Sequence, residues 1–118
     1  MQSEKESEGK LDKEVEMPIS AKDYDDFTYE GAEKVPTRGA GVYLLADRNY
    51  DVIQIGSVSG SPLDLQLKLF EHLRSAGPLR AKVRYYWAEP TDNYKAKEQE
   101  LLEEYKQAHG GALPEGNR

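Results

Sequence analysis

The chain has 118 residues and a mass of 13.3 kDa, enough for one domain with a modest core and too little for a two-domain enzyme. It contains no cysteine and two histidines, which excludes a disulfide framework, a thiolate zinc site and a cysteine nucleophile. The net charge is −6, with 37% apolar and 32% charged residues and a mean hydropathy of −0.83, so part of the chain contributes nothing to a core.

Residues 1–20 carry six acids and three bases with no aromatic residue and no apolar period. This is the composition of a disordered acidic arm, and the single domain is expected over residues 21–118. Residues 21–36 add five acids and two bases, whereas residues 37–118 carry eleven of each. The acidity therefore lies ahead of a neutral folded part, which weakens the usual objection to an acidic protein binding nucleic acid. Tyr24, Phe27 and Tyr29 lie among the acids between Lys22 and Arg38, a stretch that reads as a short helix or a loop packing its aromatics on the domain edge. The longest uncharged, mostly apolar run, Gly39 to Ala46, falls far short of the ~18 residues needed to span a bilayer, and the N-terminus is acidic where a signal peptide would be basic. A cytoplasmic monomer without a membrane partner is expected.

From Gly41 the signals sharpen. Gly41 to Ala46 (GVYLLA) is apolar at both parities, as a strand covered on both faces should be, and Asp47 to Tyr50 supplies turn residues before Asp51 to Gly56 resumes strand character. Together they predict a hairpin. Ser61 and Pro62, followed by Asp64, predict a helix start with the serine as N-cap and the acid as its capping-box partner. Leu63, Leu67, Phe70 and Leu73 then recur at helical spacing until Gly77-Pro78. Arg80 to Ala88 alternates and is rich in Val, Tyr and Trp, which predicts a third strand. After Pro90, a last helix places Tyr94, Leu101, Leu102, Tyr105 and Ala108 on one face and ends at Gly110-Gly111. The expected fold class is α/β (α+β): a small three-stranded antiparallel sheet flanked by helices, in the order β-β-α-β-α.

Glu98 is the most informative single residue. It follows Tyr94 by four positions and precedes Leu101 by three, so helical geometry sets a carboxylate on the stripe that packs against the core. An unpaired buried carboxylate costs several kcal/mol, comparable with the whole stability of a small domain. It must reach solvent at the edge of the stripe, pair with a cation, bind a metal or line a cleft. Tyr43 lies within the first strand of the hairpin, where an aromatic side chain serves packing unless a neighbour recruits its phenol for proton transfer. Lys68 and His72 stand one helical turn apart on the more polar side of their helix, either solvated or facing a cleft where a cation meets a phosphate. His109, beside Gly110, suits the negative end of the last helix.

Taken in order, Gly41-Val42-Tyr43, ten intervening residues, Gln54-Ile55-Gly56, a helix with a basic residue, a strand, a helix bearing Glu98 and a terminal Gly111 to Asn117 resemble the GIY-YIG nuclease superfamily over residues 36–117. The resemblance implies that family's three-stranded antiparallel sheet flanked by helices, and hydrolysis of phosphodiesters with one divalent metal. On it, Tyr43 matches the tyrosine that helps deprotonate the attacking water. Glu98 matches the helical glutamate that holds Mg²⁺ or Mn²⁺, and Asn117 the asparagine near the end of the domain. The second motif's tyrosine is replaced by Gln54, which cannot accept a proton as a phenolate would. The phosphate-clamping arginine is replaced by Lys68, four residues before His72 and lacking the bidentate fork. Three readings follow: a divergent domain that acts on or binds nucleic acid with weak or no cleavage, an active Mg²⁺- or Mn²⁺-dependent DNA endonuclease, and a protein-interaction domain of the same fold. The catalytic candidates are Tyr43, Gln54, Lys68, His72 and Asn117, with Glu98 as metal ligand.

Overall fold

A computed structural model describes residues 22–35 and 39–118. The acidic arm assigned to residues 1–20 and the boundary at Pro36 lie outside the described residues.

The described chain is α+β. Its strands are β1 (Asp25–Asp26), β2 (Gly41–Ala46), β3 (Val52–Val58) and β4 (Tyr85–Pro90); its helices are α1 (Tyr29–Ala32), α2 (Leu65–Arg74), α3 (Pro78–Lys82) and α4 (Tyr94–Ala108), and a 3₁₀ turn covers Glu115–Asn117. The strands form one antiparallel sheet in the order β1-β4-β2-β3. Four strands are thus present where the sequence predicted three. The extra one, β1, is two residues long and pairs Asp25 with Tyr86 and Asp26 with Tyr85. Its two aspartates carry no apolar alternation, so nothing local marked it as a strand.

Both faces of the sheet are covered. On one, Phe27, Tyr43, Leu45, Ile53 and Tyr86 pack with Leu65, Leu69 and Leu73 of α2; on the other, Val42, Leu44, Val52 and Ile55 pack with Leu101 of α4. Every residue of β2 is buried in consequence, which accounts for its apolar character at both parities. A register shift opposite Leu45 and Ala46 leaves Ile53 as an extra residue. That bulge lets adjacent Ile53 and Gln54 both turn toward the α2 side. At the hairpin tip Asp47 accepts from the amides of Asn49 and Asp51 at 2.8 and 3.0 Å, and Tyr50, with φ of 66°, stacks on Tyr85 at 4.4 Å.

The second helix departs from expectation in two ways. Its N-cap is Asp64, whose buried side chain accepts from the Leu67 amide at 2.9 Å, and Ser61 lies outside the helix. Its core stripe is Leu65, Leu69 and Leu73, whereas Leu67 is 43% exposed. The expected stripe ran through Leu67; packing against the sheet buries Leu65 and Leu69 in its place. The strand expected from Arg80 starts at Tyr85, because Gly77 (φ 116°) and Pro78 open the short α3 first. Ala108, placed on the inner face of the last helix, is exposed. That helix ends with Gly110 and Gly111 at positive φ and a bond from the Gly111 amide to the Lys106 carbonyl at 2.8 Å, a Schellman-type stop.

Asp64→Ala should lower stability to urea by about 0.5–2 kcal/mol and Ser61→Ala by far less. The reverse order would restore the serine cap.

Candidate functional site at the β3 edge

Among the described residues β3 has a sheet neighbour on one side only. Three consecutive residues of this strand organise the site. Ile55 turns its backbone outward, Gly56 lies opposite Tyr43 in the register, and Ser57 faces α4.

At Gly56 a Cβ would run into the Cζ and hydroxyl of Tyr43. The tyrosine ring therefore lies across the glycine, and its hydroxyl comes to rest over the edge strand. There it shares a hydrogen bond of 3.0 Å with Nε2 of His72 from α2. Burial is the main reason the Tyr43 phenol is pushed well above its ordinary pKa, with the charges of Glu98 and Glu71 adding to it. Burial likewise lowers the His72 pKa, and the neighbouring Lys68 ammonium lowers it further against a smaller opposing effect of Glu71. Both partners are accordingly neutral near pH 7. In the Nδ1–H tautomer of His72 the phenol donates and Nε2 accepts.

On the other face of β3, Ser57 Oγ donates to Glu98 Oε1 at 2.7 Å. Glu98 thus reaches the sheet through a hydroxyl rather than through a cation. Tyr43 and Glu98 straddle the edge strand at adjacent positions, one over Gly56 and the other bonded to Ser57 on the opposite face, and the charge of Glu98 adds to the rise of the phenol pKa. Lys68 sits one turn before His72 and pairs with Glu71 at 2.9 Å. Gln54, two residues before Gly56, lines a recess that His72 also lines. Tyr43, Gln54 and His72 thus meet on the α2 side of β3, with Lys68 one helical turn from His72, whereas Glu98 stands on the α4 side of the strand.

Asn117 is engaged differently. Its side-chain oxygen accepts from the Ile55 amide at 2.9 Å and its nitrogen donates to the Ile55 carbonyl at 2.8 Å. The amide group stands in for a neighbouring strand and satisfies both outward groups of Ile55. A bidentate clasp from Lys82 to Glu115, 2.9 and 3.0 Å, holds the same 3₁₀ turn to α3. By the alternation of an antiparallel ladder the next outward pair belongs to Ser57, and among the described residues nothing bonds to it. His109 stacks on Tyr105 at 3.8 Å, with Nδ1 placed 2.8 Å from the Tyr105 carbonyl, a helix-end arrangement remote from these groups in sequence and contact.

The donor set for a cation is sparse. Among the described residues no three His, Cys, Asp or Glu side chains cluster as a ligand group. Glu98 has one carboxylate oxygen committed to Ser57, which leaves the other for an ion that keeps most of its waters, as Mg²⁺ does.

Two outcomes follow. Asn117→Ala should cost about 1–3 kcal/mol in denaturant unfolding, since two buried-edge backbone groups lose their partner; a role confined to substrate contact would leave stability unmoved. Because the His72 pKa is lowered on folding, its contribution is present above its unfolded value near 6.5 and lost as pH falls through the folded value. Stability of the parent should therefore drop on acidification below about pH 6.5 more steeply than that of His72→Gln, measured by thermal melts across pH. Among known proteins, no family model, curated protein or solved structure matches the chain.

Proposed function

We propose that this chain is a divergent domain of the GIY-YIG type that binds nucleic acid against the edge of β3 and cleaves phosphodiesters slowly or not at all. The observation that carries the reading is the Tyr43–His72 hydrogen bond on one side of β3 with Glu98 held on the other. This brings a phenol, an imidazole that accepts its hydrogen bond and a carboxylate to one edge strand, and of these the resemblance implies the tyrosine and the glutamate.

In this reading a phosphate lies beside the open backbone of Ser57, whose outward amide offers it a donor. Lys68 supplies a positive charge from α2. His72, neutral at Nε2, draws on the Tyr43 proton and orients the phenol toward a water at the strand edge. Glu98 would hold Mg²⁺ or Mn²⁺ through its uncommitted oxygen, and such an ion supplies Lewis-acid stabilisation of the phosphoryl oxygens when bound.

Three features of the chain slow the chemistry. The Tyr43 phenol is held above its ordinary pKa by burial and by the charges of Glu98 and Glu71, so it is a donor and a poor base. Gln54 offers no second phenol. Lys68 is a single-point cation already paired with Glu71, and loss of one preorganised charge contact in a transition state typically costs about 10²–10³ in rate.

The test uses plasmid and short duplex DNA. Binding at low salt should weaken linearly on a log–log salt axis, and nicking with Mn²⁺ should be very slow or absent. Lys68→Arg combined with Gln54→Tyr should raise nicking above the parent, and Glu98→Gln should remove the gain. Fast nicking by the parent that Glu98→Ala abolishes would establish the active-endonuclease reading instead. Absence of any DNA binding at low salt would leave the protein-interaction reading.

A further inference from the structure

Between the end of α2, α3 and the sheet lies a recess of about 110 Å³. Its floor is apolar, made by Phe27, Leu45, Leu79 and Val83. Its polar lining is supplied by Gln54, His72, Ser75 and Arg80, the Ser75 hydroxyl being committed to the His72 carbonyl at 2.6 Å, and among the described residues no carboxylate lines it. Arg80 is anchored by its Nε bond to the Leu73 carbonyl at 3.3 Å and by its guanidinium 5.0 Å from the Phe27 ring centroid. The Gln54 amide makes no hydrogen bond among the described residues, although it is half-buried and backed by Gly116, where a Cβ would come within 2.9 Å of it. A half-buried amide with both its donor and its acceptor uncommitted, beside an apolar floor, is the arrangement of a ligand pocket rather than of a packing defect.

Size selects the ligand. An engineered protein cavity of ~150 Å³ accepts one benzene. A recess of about 110 Å³ that opens on one side is smaller than that, so it admits one six-membered ring edge-first with part of the ring left at the mouth, and not a fused pair. Edge chemistry narrows it further: the Gln54 amide presents a donor and an acceptor side by side, and Arg80 adds donors. The Watson–Crick edge of a pyrimidine carries an adjacent donor and acceptor with a further carbonyl beside them, which matches that set. The surroundings suit a strand. From His72 to Ala88 the chain carries Arg74, Arg80, Lys82 and Arg84 and no acid, so α2's end and α3 form a cationic border around the mouth.

We infer that this recess, lined by Gln54, His72 and Arg80, receives one unstacked pyrimidine base beside the Tyr43–His72 pair. The inference rests on the nucleic-acid reading above and gives it a base preference. Single-stranded segments are the natural source of such a base, since unstacked bases are free to enter pockets; a free pyrimidine nucleoside presents the same ring.

The experiment compares octathymidylate with octaadenylate at low salt by fluorescence anisotropy, and follows the Gln54 side-chain amide by NMR during titration with free uridine. Octathymidylate should bind about tenfold more tightly, ~1.4 kcal/mol. Gln54→Leu should erase that preference. Ala76→Leu, an exposed position on the recess lining, should bring octathymidylate down to the octaadenylate level and leave octaadenylate binding as it was; matching melting temperatures keep the comparison on folded protein. Equal binding of the two oligonucleotides, or a preference that survives both substitutions, overturns the base pocket while the nucleic-acid reading stands. Should neither oligonucleotide bind while uridine shifts the Gln54 amide, the pocket stands as a nucleoside site and the strand reading falls. Silence in every arm removes both.

Discussion

The structure turns on an edge strand, β3, which among the described residues pairs with β2 alone. β3 must satisfy the outward groups of Ile55 without a further strand, and Asn117 does so with one amide. The next residue, Gly56, has no side chain, so the Tyr43 ring can lie over it. The residue after that, Ser57, bonds Glu98 on the opposite face. Edge protection, aromatic placement and carboxylate placement thus fall on three successive residues. A one-residue slip in the register would exchange the faces of all three side-chain positions.

Burial then sets the chemistry. A phenol and an imidazole enclosed together are both pushed toward their uncharged forms, because the low-dielectric surroundings penalise the phenolate and the imidazolium alike. The Glu98 and Glu71 charges reinforce this on Tyr43, and Lys68 reinforces it on His72. The pair is joined by a hydrogen bond without carrying net charge. The same burial operates at Tyr86, whose hydroxyl donates to the Gly31 carbonyl at 2.7 Å and whose pKa is pushed up to about 12, with Asp25 adding to the shift. There the bond ties α1 to the sheet and closes off the floor on which Phe27 sits. One physical cause therefore yields a structural tie at one tyrosine and a contact between titratable groups at the other, and the difference lies in the partner: a carbonyl in the first case, a titratable ring in the second.

Charge is segregated along the described chain. The run from His72 to Ala88 has four bases and no acid, while residues 22–35 have five acids and two bases. The acidic part forms β1 and α1 and lines an open recess with Tyr24, Asp25, Asp26 and Glu30; the basic part borders the Gln54 recess. The two ends of this dipole lie on different elements, so a polyanion and a polycation would be drawn to different places on one surface. Among the described residues no helix is long and apolar enough to cross a membrane.

Sequence alone was sufficient wherever a local rule had one solution. The doubly apolar run of β2, the turn residues after Ala46, the Gly-Gly stop and the helical spacing that set Glu98 on the inner stripe of α4 each had a single reading, and the structure follows them. Elsewhere the structure departs from the local reading. Ser61 was read as the cap with Asp64 as its partner, and Asp64 itself caps; the stripe read through Leu67 runs through Leu65 and Leu69. The strand read from Arg80 begins at Tyr85, after α3. Two-residue β1 exists only because β4 presents it with unpaired backbone. The site follows the same division. The residue types were visible as a list, but their convergence depends on contacts between positions far apart in the chain: Tyr43 with His72, Ser57 with Glu98, and Ile55 with Asn117, separated by 29, 41 and 62 residues. No periodicity reaches across such intervals. A hydrogen bond or a close approach at that range is decided by how layers pack, and for this chain it is packing that made Asn117 a strand edge, Gln54 the wall of a recess and Tyr43 the partner of His72.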